Sequence, residues 1–297
     1  QTIDPMQRNT ESNGRFHTDW LNMIYPRLKI ARDLLTEDGV IFISIDDNEV
    51  ANIQKVCDEI FGKKNQIGCI IRKTKSMTGD SSSGFNLQHE NLLIYSRYRN
   101  LAHLKGEYKQ FEGYSNPDND INGEWCMADP SAKSGSESTY FGITNPFTGK
   151  IDFPPQGRYW AFSKTTLKDY IKKGRIVFKE QYKDSERGFI FKRYKNSLIE
   201  LHNPVNSLFI DNIYMNQSAT SELNILLEAS LFSYPKPIKY LYDIIRYSTK
   251  NNDTILDFFS GSATTAHAVM KLDAEDGGNR KFIMVQLPEK TDEKSEA

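Results

Sequence analysis

Three cysteines in 297 residues, Cys57, Cys69 and Cys126, are too few and too scattered for a disulfide framework or a structural zinc site. Their sparseness fits a reducing cytoplasm. No apolar run approaches the roughly 18 residues that a membrane-spanning helix requires, and the stretch from Gln1 onward shows no signal-peptide pattern. There is no internal repeat. Neither sign of charge dominates: 38 Lys and Arg stand against 39 Asp and Glu, a net charge of −1, so any nucleic-acid-binding character must be local. Gly-x-Gly-x-x-Gly is absent as well. In the best-placed turn Ser262, Ala263 and Thr264 stand where further glycines would be needed, which argues against a nicotinamide dinucleotide. What remains is a globular chain, long enough for one large domain or two smaller ones.

What is present centres on residues 253–287. Thr254 to Phe259 is a short apolar run suited to a buried strand, and Ser260 to Ala263 is a tight turn of small residues. Thr264 to Leu272 reads as a helix stopped near Gly277-Gly278, and Lys281 to Leu287 as a second strand. Together they predict one βαβ unit, with the turn at the carboxyl end of its first strand, where open α/β sheets bind ligands. Gly261 permits close backbone approach, and free amides at the start of the helix favour a carboxylate. On this fragment alone, a purely structural βα turn explains the same residues. His267, inside the helix, reads as a packing residue.

Just upstream lies Ser233-Tyr234-Pro235-Lys236-Pro237, followed by Ile238, Leu241, Ile244 and Ile245 at helical spacing. With Asp257-Phe258-Phe259-Ser260-Gly261-Ser262-Ala263-Thr264-Thr265, this arrangement resembles the S-adenosylmethionine-binding half of the amino-methylating DNA methyltransferases. The resemblance implies S-adenosylmethionine as cofactor. It implies cofactor-site roles for Lys236, Pro237, Asp257, Phe258, Phe259, Ser260, Gly261, Ser262, Thr264 and Thr265. Gln286 stands where the family places a ribose-holding acid, and Ala263 replaces a family glycine.

Earlier in the chain, Thr18 is a candidate cap for a helix carrying Trp20, Leu21, Ile24, Leu28, Ala31 and Leu35, which Pro26 should kink or split. Val40 to Ile45 is nearly continuously apolar, as a parallel strand covered on both faces would be. Asp46, Asp47 and Asn48 then offer caps for a helix ending at Gly62. A Thr/Ser/Gly-rich loop, residues 74–84, precedes a further strand from His89 to Ser96. Asp4-Pro5 is followed by Met6-Gln7, so it is not an Asp-Pro-Pro-Tyr motif. His17 to Leu28, Asp38 to Glu49 and His89 to Tyr95 look like the modification subunits of type III restriction–modification systems, in that family's order. The family's Asp-Pro-Pro-Tyr is expected to precede residue 1, and the chain to be cut at both ends.

The middle differs in composition. Residues 95–214 hold 10 of the 15 tyrosines and 9 of the 17 phenylalanines. Twelve lysines and arginines face four acids between Arg158 and Lys195, in a chain that is otherwise acidic. Cations for phosphates interleaved with planar groups for bases suit a nucleic-acid surface. The alternative is a solvated basic face over core aromatics. The stretches around Gly157-Arg158-Tyr159-Trp160 and Lys172-Lys173-Gly174-Arg175 also look like the family's target-recognition insert. The DNA-contact candidates are Arg158, Tyr159, Trp160, Lys172, Lys173, Arg175, Lys192 and Arg193.

The expected fold is therefore α/β: a Rossmann-like, mainly parallel S-adenosylmethionine-dependent methyltransferase sheet with an inserted target-recognition domain. Residues 1–96 form the catalytic half, 97–221 the insert and 222–297 the cofactor half. Val40–Ile45 and Thr254–Phe259 should share one sheet. Asp46, if not a helix cap, and His89, if not a structural histidine, are the pocket candidates for a flipped base. The implied activity is transfer of a methyl group to adenine N6 in double-stranded DNA. Alternatives are a cytosine-N4 or orphan methyltransferase, or a DNA-binding piece without activity. The family resemblance further implies a bacterial cytoplasmic setting, a homodimer of modification subunits and a restriction (helicase–nuclease) partner.

Overall fold

A computed structural model describes residues 14–76, 84–198, 200–227, 232 and 234–287. The Asp4-Pro5 pair, Ser233 and the tail after residue 287 lie outside the described residues. The chain forms two compact units, one of residues 1–107 with 204–297 and one of residues 108–203.

The larger unit begins with α1 (Phe16–Leu34), which starts from Arg15 and not from a cap at Thr18. The helix is continuous through Pro26, whose exposed position leaves the inner face of Ile24, Leu28 and Ala31 intact. β1 (Val40–Ile45) follows, then α2 (Val50–Cys57), whose N-cap is Glu49. Asp46 is not the helix cap: it accepts from the backbone N–H of Asn48 at 3.1 Å, closing a local turn before the helix. Gly62, at φ 87°, ends the segment as its sequence position predicts. β2 (Gln66–Lys73) and β3 (His89–Ser96) complete this block.

The smaller unit contains β4 (Trp125–Met127), β5 (Ser131–Ala132), β6 (Ile143–Thr144), β7 (Ile151–Asp152), β8 (Tyr159–Trp160), α3 (Lys164–Lys172), β9 (Ile176–Phe178) and β10 (Phe189–Tyr194). β10 is the middle strand of a three-stranded antiparallel sheet between β4 and β9. Its core is aromatic: Phe141, Trp160, Phe162 and Phe189 are buried together with Ile143 and Ile176.

The chain returns to the larger unit with β11 (Leu208–Phe209), α4 (Asn216–Leu227), α5 (Ile238–Ser248), β12 (Thr254–Asp257), α6 (Thr264–Asp276) and β13 (Lys281–Met284). β12 and β13 pair in parallel around α6, and Gly277 closes the helix in the left-handed region. The βαβ unit expected from the sequence is there, with both strands shorter than the apolar runs.

The single, mainly parallel sheet is not. β1, β3, β2 and β11 form one sheet in that order, antiparallel except for β2–β11, while β12 and β13 form a separate pair. Continuous apolarity requires cover on both faces but does not fix strand direction. β1 has that cover in an antiparallel sheet. Ile41, Ile43 and Ile45 pack toward α1 and α2, and Val40 and Phe42 toward α5. α5 links the two sheets in place of a shared ladder. Its Tyr240, Ile244 and Tyr247 enter the core of the larger sheet, and Ile245 packs with Ala268, Val269 and Leu272 of α6. Tyr240 also hydrogen-bonds Ser44 of β1 at 3.0 Å between hydroxyls.

Candidate cofactor and DNA sites

The turn after β12 is held by side chains that the chain itself supplies. Asp257 Oδ1 accepts from the N–H of Phe259 at 3.1 Å, and its Oδ2 accepts from the hydroxyl of Thr265 at 2.5 Å. Asp257 thus ties the end of the strand to the first turn of α6, leaving Thr265 buried as a structural donor. Gly261 has φ 49°, and a Cβ there would lie 3.1 Å from Cζ of Phe232. Its N–H donates to Oε1 of Gln286 at 3.0 Å. Gln286 therefore stands at the turn, with its amide oxygen on the Gly261 N–H. Ala263 takes φ 59°, the left-handed conformation that a glycine would adopt without strain. Ser262 and Thr264 bond through their hydroxyls at 2.9 Å. Phe258 turns into the core beside α1 and α2, whereas Phe259 is half exposed next to Gly261 and presents a planar apolar surface.

Phe232 touches this turn, and a few residues on Lys236 reaches β3. Its ammonium donates to both carboxylate oxygens of Glu90, at 2.7 and 2.6 Å. Glu90 also accepts from Nε of Arg72 at 2.8 Å. Arg72 is fully buried and completes its bonds on the carbonyl of Tyr214 and the side chain of Asn216. Its guanidinium lies 5.0 Å from the ring centre of Tyr240. Burial works against the Glu90 carboxylate, but Arg72 and Lys236 outweigh it and hold its pKa below the usual range. Burial lowers the pKa of Lys236, which Glu90 and Asp46 partly restore. Pro237 is the residue before α5, whose first amide, that of Ile238, donates to Glu222 at 3.0 Å.

The carboxyl end of β1 meets the start of β3 because the two run antiparallel, pairing Ile45 with Asn91. Asn91 donates to Asp47 at 2.9 Å, and His89 Nε2 lies 3.6 Å from the same carboxylate. Asp46 and His89 are brought to one edge, both partly solvent-facing.

Glu90, Arg72, Asp47 and Asn91 are not among the sequence candidates. Arg72 carries a usable signal, since a charge inside an otherwise apolar strand must have a partner when buried.

In the smaller unit the structure divides the eight DNA candidates. Two are corrected. Trp160 is buried in the aromatic core, where its indole donates to the carbonyl of Phe141 at 2.7 Å. Lys192 points inward from β10 to Asp118 and Asp120, under the ring of Trp125 at 4.6 Å. Strand alternation explains the second case: Lys192 and Tyr194 face in and Arg193 faces out. Lys172 and Lys173 are exposed, the latter paired with Asp169 at 2.9 Å. Arg175 is half buried between Tyr170 and Phe191, and Tyr159 packs against Tyr140. Arg158 bonds Ser131 and Asp129. Arg193 lines a cavity of about 270 Å³ with Lys109, Phe111 and Tyr114.

A family model described as DNA methylase matches residues 5–293. The chain is 32% identical over 308 residues to the Mod subunit of the type III restriction-modification enzyme EcoPI of Escherichia phage P1, covering 94% of this chain and 47% of that one. It is 33% identical over 279 residues to the StyLTI Mod subunit of Salmonella typhimurium strain LT2, covering 91% and 41%. Against the type II methyltransferase M.KpnI of Klebsiella pneumoniae it is 30% identical over 300 residues, covering 91% and 67%. The chain thus spans less than half the length of the two Mod subunits.

Proposed function

The chain belongs to the DNA methylase family, and from that premise we propose that it is the cofactor-binding and DNA-recognising part of an adenine-N6 methyltransferase of the type III modification kind. The observation that carries the cofactor reading is the Asp257–Thr265 clasp around a left-handed Gly261 at the carboxyl end of a parallel strand.

S-adenosylmethionine fits this turn. First-turn amides of α6 and the exposed ring of Phe259 offer, respectively, donors for a carboxylate and a face for an adenine. When bound, the cofactor supplies a methyl group on a sulfonium that needs no further activation. The chain's own part is to hold and orient. Asp257 keeps the turn closed on α6, Gly261 by lacking a Cβ gives Phe232 room against the turn, and Lys236 is held on Glu90 of β3. Asp46 and His89 line the edge where a base lifted from the helix would be received. The amino group of adenine is a poor nucleophile, so orientation and exclusion of water make up most of the catalysis. In the smaller unit, Lys172, Lys173, Arg158 and Arg193 are the cations for phosphates.

Asp-Pro-Pro-Tyr occurs nowhere in the 297 residues, so on its own the chain binds cofactor and DNA without transferring a methyl group. Among the described residues no helix is long and apolar enough to cross a membrane. The restriction subunit and a second modification subunit are the partners that this reading brings with it.

Tritiated S-adenosylmethionine and mixed-sequence double-stranded DNA test the proposal in two steps. The chain alone should leave the DNA unlabelled. Fused to an Asp-Pro-Pro-Tyr-bearing segment of a related modification subunit, it should yield N6-methyladenine on nucleoside analysis. Label transferred by the chain alone overturns the inactivity, and N4-methylcytosine overturns the base assignment.

A further inference from the structure

The smaller unit holds a concavity apart from its aromatic core. Its first and last segments are laced together: the N–H of Lys109 donates to the carbonyl of Leu201 at 2.8 Å, and the Lys109 ammonium to the carbonyl of Glu200. At this seam lies the cavity of about 270 Å³, walled by Phe111, Tyr114 and Leu198 and reached by the exposed side chains of Gln110, Arg193 and Asn203. Among the described residues, no carboxylate lines it.

A tight turn sets the two rings. The N–H of Tyr114 donates to the carbonyl of Phe111 at 3.1 Å, with Gly113 at φ 79° between them. The ring centres lie 5.5 Å apart with their planes at 90°, so a flat guest lying on one ring meets the other edge-on. Phe111 is braced by Tyr108 at 5.8 Å and by the Lys195 ammonium, 5.1 Å from its centre. Arg193 stands opposite Cys126 in the ladder of β4 and β10, and the Tyr114 phenol interacts with both side chains. The sheet thus holds a planar wall and a guanidinium in one group.

Size and shape narrow the guest. At roughly 30 Å³ per water the cavity holds about nine waters, close to the bulk of one purine base and far below that of a dinucleotide. Base edges inside a duplex are read by side chains that project into a groove. A hollow walled by rings suits the reverse, a base that projects from the DNA.

Resting on the DNA-recognising reading above, we propose that this cavity receives one nucleobase unstacked from the DNA, distinct from the base that is methylated. The base lies against Phe111 and Tyr114, with the Arg193 guanidinium on its acceptor edge. A lining that offers charged donors and no carboxylate favours guanine, whose O6 and N7 match a guanidinium as a pair. The smaller unit thereby selects DNA by a base held out of the stack, in addition to the phosphate contacts of Lys172 and Lys173.

The test is an anisotropy titration of the full chain with labelled duplexes of one sequence: fully paired, with a single bulged guanine, with a bulged adenine, and with an abasic residue in the bulge. A bulged base has no pairing to lose. The guanine bulge should therefore bind about five- to a hundredfold more tightly than the paired or abasic duplex, the range for one base stacked on an aromatic ring. All duplexes report on the same folded fraction, so partial unfolding of a variant cancels in the ratio. Phe111→Leu and Tyr114→Leu should each lose most of the preference, and Arg193→Gln should level guanine with adenine. A guanine bulge bound no more tightly than the abasic one shows that the chain follows the bend alone and overturns the proposal. A preference that survives both ring variants removes the cavity as its seat. Absence of binding to every duplex by the unmutated chain overturns the DNA-recognising reading itself, and the proposal with it, a separate result from either of these.

Discussion

Replacing Lys192 by Met separates what belongs to the core from what belongs to DNA in the basic stretch. The Lys192 ammonium is almost fully buried and is held by Asp118 and Asp120. Breaking a buried ion pair from one side costs about 3–5 kcal/mol, because the remaining charge is left without compensation. Two features lower that figure here. Asp118 is nearly half exposed and is screened by solvent. Asp120 keeps the hydroxyl of Tyr194 at 2.6 Å and the backbone N–H of Asn122 at 2.9 Å. A loss of about 2–3 kcal/mol is therefore expected, read as a lower midpoint in urea unfolding followed by tryptophan fluorescence, to which the neighbouring Trp125 contributes. The pH dependence gives a second reading. Burial works against the Asp120 carboxylate, yet Lys192, Tyr194 and Asn122 hold its pKa below the ordinary 3.8. A depressed carboxylate contributes stability that is complete above its unfolded value and is lost as pH falls through the folded one. Lys192→Met should shrink that acid-side loss. A variant within about 0.5 kcal/mol of the parent, the range typical of surface substitutions, would refute the assignment of Lys192 to the core.

Three further outcomes follow from named residues. Lys172→Met and Lys173→Met should leave stability nearly unchanged and flatten the salt dependence of DNA binding by about 0.9 in log–log slope for each phosphate no longer neutralised; an unchanged slope in the double variant returns them to a solvated face. Ala263→Gly should raise stability by about 0.5–1 kcal/mol, because relief of the left-handed alanine outweighs the entropy of glycine; a lower unfolding midpoint contradicts the strain. Gly261→Ala should weaken S-adenosylhomocysteine binding at least about tenfold, since the new methyl meets Phe232 in a backbone conformation that alanine disfavours; unchanged affinity in titration moves the ligand off the turn.

The parts legible in the sequence are those written in local chemistry. The βαβ unit follows from an apolar run, a small-residue turn and Gly277. What cannot be read there is set by pairing over distance. The run Val40–Ile45 announces cover on two faces and is silent on whether β3 lies parallel or antiparallel beside it. β1 and β12 share no ladder, and α5 joins their two sheets through side chains that no local pattern announces. Lys192 and Trp160 count as cation and ring in a composition, but β10 and β8 turn both inward. Helix starts are hard to place for a related reason. Thr18 and Asp46 are good caps by residue type, while the backbone turns a few residues away, at Arg15 and Glu49.

Hydrogen exchange of the chain with and without saturating S-adenosylhomocysteine decides whether the turn after β12 is a cofactor site. Exchange should slow at residues 258–265 and in the segment leading to Lys236, with the smaller unit unchanged. Protection elsewhere, or none at the turn despite measurable binding, would contradict it.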